Sequence, residues 1–112
     1  MNSKNGERQM GKDYWKIVTV DVEPRGKAFK IGLEPKTKVK DVIKTLIEHC
    51  RDEDIDIDNW AKMKVGEQHP EFVIIRKSTM ELLPPEVTFE ELNPPIEEGE
   101  EFAIDVRAEV GF

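Results

Sequence analysis

The sequence predicts an α+β fold in which one amphipathic helix lies across a β-sheet, and two adjoining stretches carry that prediction. In Lys27–Leu33, the side chains of Phe29, Ile31 and Leu33 recur every second residue, which sets three large apolar groups on one face of a pleated strand. From Val39 the period changes. Val39, Val42, Ile43, Leu46, Ile47 and Cys50 follow helical spacing, while Lys40, Asp41, Lys44, Glu48 and Arg51 take the other face. A helix that is wet on one side needs a sheet to cover the other. The four residues Glu34, Pro35, Lys36 and Thr37 switch one period to the other. Pro35 cannot donate to a strand ladder, and Thr37 is placed to cap the helix that follows.

Length and charge bound the rest. A chain of 112 residues fits one domain that can bury its own core. Charged residues make up 37% and hydrophobic ones 38%, but the hydrophobic ones are periodic, which points to a folded domain with a heavily charged surface. No apolar run is long enough to span a bilayer and the N-terminus lacks an apolar signal core, so a cytoplasmic protein without a membrane partner is expected. The single cysteine, Cys50, agrees with a reducing compartment. The net charge of −7 is uneven: residues 81–112 hold ten acidic groups against Arg107 alone. An acidic surface on the last third is the expectation, with a basic protein as its natural partner. Nucleic acid is not expected, because the one candidate basic stripe, Lys36, Lys38, Lys40 and Lys44, reads as solvated lysine.

Taken in order, residues 1–13 are polar and aperiodic and are expected to form a disordered tail, leaving residues 14–108 as the domain and 109–112 as a short C-terminal tail. Val18, Val20 and Val22 alternate with Thr19 and Asp21 as a first strand. The turn-formers Glu23, Pro24, Arg25 and Gly26 then join it to the Phe29 strand at hairpin spacing. After the helix, Asp54, Asp56 and Asp58 have the spacing that opens a calcium loop, but Asn59 and Val65 stand where such a loop needs Gly and a bidentate Glu. A solvated loop with Ile55 and Ile57 turned inward is the better reading. Residues 60–65 suggest a short strand, and residues 72–75, four apolar residues in a row, a strand that is either covered on both faces or leaves two side chains exposed to a partner, with burial the preferred reading. Further on, Pro84 and Pro85 close a hairpin-like excursion, and Thr88 and Glu91 have capping-box spacing around one helical turn. Gly99 permits a tight turn into a last strand with Phe102, Ile104 and Val106 on one face.

The ordered string of apolar strand, Glu34-Pro35, then Val39, Val42 and Leu46 resembles the second strand, turn and helix of the ubiquitin-like family. The later string of apolar strand, Leu-bearing loop, Thr-capped turn with Phe89 and Leu92, Gly turn and final strand resembles that family's second half. Together they cover residues 15–107. The resemblance implies a beta-grasp fold: a mixed sheet of four to five strands packed on one main helix plus a short helical turn. Residues 51–71 depart from it as a longer connection.

Candidate sites follow from both readings. Cys50 lies on the apolar helix face, and neighbouring His49 points about 100° away, so the two do not pair as nucleophile and base. His69 has no second ligand at metal spacing. Glu97, Glu98, Glu100 and Glu101 read as solvated acid rather than catalytic carboxylates. With no phosphate loop or nucleophile elbow either, the sequence points away from an enzyme and calls for no cofactor. Function is instead expected on a sheet face formed by Phe72, Ile74 and Arg76 with Ala103, Asp105 and Arg107; the family resemblance implies a partner-binding patch there. The resemblance also extends to the single-glycine modifier branch, because Gly111 follows Val110 and precedes one removable Phe112. It implies conjugation through Gly111, with activating and conjugating enzymes as partners.

Overall fold

The structure is a computed structural model that describes residues 14–109. Among the described residues five strands form one sheet: β1 Lys16–Val22, β2 Lys27–Leu33, β3 Pro70–Arg76, β4 Glu81–Leu83 and β5 Glu101–Ala108. Two helices, α1 Val39–Asp52 and α2 Ile57–Val65, stand between β2 and β3 in the chain. The strand order is β2-β1-β5-β3-β4, with β1 and β5 parallel at the centre and every other pair antiparallel. This mixed sheet packed with helices is the α+β architecture the two periodicities called for, and it is compatible with the beta-grasp fold that the resemblance implied.

The β1–β2 hairpin closes through a 3₁₀ turn, Glu23–Arg25, whose end is Gly26 at φ 60°. Open space surrounds the position a Gly26 Cβ would take, so backbone conformation and not crowding is what glycine answers here. Inward from the hairpin, Val18, Val20, Val22 and Leu33 meet Val39, Val42, Leu46 and Cys50 of α1. From the other half of the sheet, Ile74, Phe102 and Ile104 complete the core, with Phe89 edge-on to Phe102 at 5.8 Å between ring centres. The alternations in β1, β2 and β5 therefore land on the face expected of them.

Thr37 does not cap α1. Its hydroxyl accepts from Glu34 N–H at 3.1 Å and locks the preceding turn, while Lys38 occupies the N-cap without a side-chain bond. The first-turn amides are satisfied from elsewhere: Val39 N–H donates to Val87 O and Lys40 N–H to Pro85 O, each at 3.0 Å. A segment some 45 residues away in sequence thus supplies the cap that a local residue was expected to provide. Of the capping box at Thr88 the Glu91 half forms, Thr88 N–H donating to Glu91 Oε1 at 2.7 Å, while the buried Thr88 hydroxyl makes no hydrogen bond among the described residues.

Residues 60–65 are helical and not the short strand expected of them. Asp56 caps α2 by accepting from Asn59 N–H at 3.1 Å, and Ile57 and Ala61 bury one stripe against the core. The alternation of Ala61, Met63 and Val65 with Lys62 and Lys64 imitated a strand, but the spacing Ile57, Trp60, Ala61 belongs to a helix face. Asp56 is thereby a cap, and Asp58 pairs with Arg51 at 2.9 Å, so neither faces a common centre with Asp54. Ile55 and Ile57 point inward as expected.

Candidate functional site

Register decides which side chains the outer sheet face presents. β3 pairs with β5 as Phe72 to Val106, Ile74 to Ile104 and Arg76 to Phe102. Directly paired residues share a face, and Phe102, Ile104 and Val106 point at the helix. Phe72, Ile74 and Arg76 therefore point there too, and the expected interaction surface is corrected in its β3 half: Ile74 is 0% exposed and Arg76 2%. The other parity faces outward, pairing Glu71 with Arg107, Val73 with Asp105 and Ile75 with Ala103. Ala103, Asp105 and Arg107 are on the face expected of them. Val73 shares that parity but is buried at 6%, so Ile75 is the β3 residue the face presents, and the sequence missed it because a run of four apolar residues carries no alternation from which to assign parity.

Arg76 reaches inward to a partner the sequence also missed. Its Nη2 donates to Glu100 Oε1 at 3.1 Å and to Pro95 O at 3.2 Å, and its Nε donates to the second Glu100 oxygen. Ser78 Oγ and Glu97 N–H donate to the same carboxylate at 3.1 and 3.0 Å. Burial pushes the Glu100 carboxyl up, but the Arg76 bonds and charge with the Glu97 and Ser78 donors outweigh it and hold it below the ordinary carboxylate value. Glu98 accepts from Ile17 N–H. Two members of the run expected to be solvated acid thus fasten the loop before β5 to the sheet.

On the outer face a row runs across the sheet: Leu82 beside Ile75, Ile75 beside Ala103, Ala103 beside Asp21 and Asp21 beside Ala28. The β1–β5 pairing runs from Thr19 and Glu101 to Asp21 and Ala103. Beyond it a cleft of about 460 Å³ is lined by Val22, Gly26, Ile75, Ala103 and Ile104, with Asp21, Glu23, Lys27 and Asp105 contributing charge. The charges around this apolar centre are paired within the chain. Lys77 bonds Asp21, Lys64 lies 3.5 Å from Asp105, and Arg107 Nε donates to Glu71 at 3.1 Å.

The same pairing alters the charge picture given by composition. Glu86 takes Lys38 and Lys40 at 3.4 and 3.2 Å, and Glu90 takes Lys36 at 2.6 Å. Two carboxylates of the acidic last third thus lie against the basic start of α1, far away in sequence. The paired lysines stay solvent-exposed, Lys36 at 84%, as the sequence led us to expect. Hydrogen bonds and charge from Lys40 and Lys38 hold the Glu86 carboxyl below its ordinary value.

Cys50 is 0% exposed in the core, where burial pushes its thiol up and keeps it protonated. His49 stacks on Phe29, and His69 is an exposed residue 3.7 Å from Glu109. Gly111 lies outside the described residues, as do residues 1–13. Among the described residues no cluster of His, Cys, Asp or Glu has metal-holding geometry, and no helix is long and apolar enough to cross a membrane. In comparisons with known proteins, no family model and no curated relative matches this chain.

Proposed function

We propose that this chain is a ubiquitin-like protein that works as a non-covalent interaction module, taking a protein partner on its outer sheet face. The observation that carries the reading is the cleft of about 460 Å³ at Ile75 and Ala103, an apolar centre bordered by ion pairs already closed within the chain. Its size is that of a pocket that accepts one or two side chains. Paired charges add little net attraction, so contact energy belongs to the apolar centre and the rim sets orientation. The chain contributes binding and no chemistry of its own, and the cytosol is its expected place of work.

Ala103→Arg places a long cation across that centre without touching the core. A partner that binds the wild-type chain and a Lys44→Ala control should lose at least about fivefold in affinity for this variant, since a central contact carries about 1 kcal/mol or more. Binding unchanged by Ala103→Arg, measured by titration calorimetry, removes this face from the function.

The rival reading is a modifier precursor joined to amines through Gly111 once Phe112 is removed. Intact mass after incubation in source-cell lysate separates the two. Loss of one phenylalanine, or adducts abolished by Gly111→Ala, marks the modifier; an unchanged mass marks the module.

A further inference from the structure

Helix α2 creates a second concavity that the outer-face reading does not use. Between the β1–β2 turn and α2 lies a cleft of about 330 Å³ lined by Pro24, Arg25, Asp54, Asp56, Asn59, Trp60 and Met63. Its walls come from the helix geometry: burying Ile57 and Ala61 turns Asn59 and Met63, one turn apart, toward solvent. Met63 is 77% exposed, the most exposed large apolar side chain among the described residues, and half-buried Trp60 stands beside it. Methionine is flexible and polarisable, which suits it to grip partner side chains of varied shape.

Charge selects the partner. The corner holds the carboxylates of Asp52, Glu53, Asp54, Asp56 and Asp58 against the cations Arg25, Lys27 and Arg51, while Lys64 of α2, above the Trp60 ring at 5.6 Å, is turned to Glu23 and Asp105. Lys27 is held by Glu53 and Arg51 by Asp58, both at 2.9 Å, and Arg25 is drawn to the Asp54 carbonyl at 3.3 Å. Among the described residues no cation pairs with the side chains of Asp52, Asp54 and Asp56, which leaves a surplus of negative charge there.

We infer that the cleft between the β1–β2 turn and α2 docks a basic peptide segment of a partner protein, in which an aliphatic residue lies next to a lysine or arginine. The aliphatic side chain packs on Met63, Pro24 and the Trp60 ring, and the cation lies between the Asp54 and Asp56 carboxylates. This site stands apart from the outer face, and Ala103→Arg leaves it intact.

The test is a nuclear magnetic resonance titration of the full chain with a blocked synthetic peptide of alternating leucine and lysine, and with its leucine–glutamate counterpart. Saturable shifts at the Asn59 amide, Trp60 indole and Met63 methyl with the lysine peptide alone are the expected result. Met63→Ala and Asp54→Asn, both at exposed positions, should each weaken that binding by about tenfold. Equal shifts with the glutamate peptide, no shifts at all, shifts confined to Ile75 and Ala103, or affinity untouched by both variants would overturn the inference. So would peptide-free shifts at Met63 that grow with protein concentration, which would assign the cleft to a second copy of the chain.

Discussion

Glu100→Ala should lower the free energy of unfolding by about 3–5 kcal/mol, read from chemical denaturation, because it strands the Arg76 guanidinium in the core. The two side chains are 2% and 8% exposed, so water cannot replace the lost partner without opening the loop before β5. A second variant isolates the cause. Arg76→Met with Glu100→Leu removes both charges together and should recover most of the loss, since the penalty lies in an unpaired buried charge and not in the absence of the pair. Failure of the double variant to recover would place the cost in the Glu97 and Ser78 bonds instead. The dependence on pH has a defined sign. The folded-state value of Glu100 lies below the unfolded one, so its contribution is complete above the unfolded carboxylate value of about 4.3 and is lost as pH falls through the lower folded value. The stability gap between the wild type and Glu100→Gln should therefore shrink in acid below about pH 4 and hold steady near neutrality.

Phe102→Ala should be equally severe, at about 3–5 kcal/mol. Phe102 is 0% exposed, pairs with Val20 across the parallel centre of the sheet, lies opposite Arg76 on β3 and receives the edge of Phe89. Truncation opens a cavity at the meeting point of three strands and the 3₁₀ turn Phe89–Glu91, where no neighbour can collapse inward without breaking ladder bonds. Phe102→Leu keeps most of the volume and should cost less than half as much. A loss below about 1 kcal/mol for the alanine variant would mean that the β1–β5 junction is not packed as described.

How far the sequence reached can be seen residue by residue. The alternations Val18-Val20-Val22 and Phe102-Ile104-Val106, and the helical stripe from Val39 to Cys50, are local periods, and each names its buried face without reference to any neighbour. The Gly26 and Gly99 turns are equally local, both with positive φ. The candidate face was half legible, since Ala103, Asp105 and Arg107 follow from the β5 alternation alone.

What the chain's own order settled was the fold class and the inward faces of β1, β2, α1 and β5, because periodicity acts over a few residues and survives without a partner. Only the folded molecule decided the rest. The parity of β3 came from its register with β5, since an unbroken apolar run offers no phase of its own. The cap of α1 came from carbonyls at Pro85 and Val87, and the fates of Glu86, Glu90 and Glu100 came from bases a long way off in sequence. Hydrogen bonds and ion pairs act through space over a few ångströms, and a one-dimensional chain does not record which distant groups folding will bring that close.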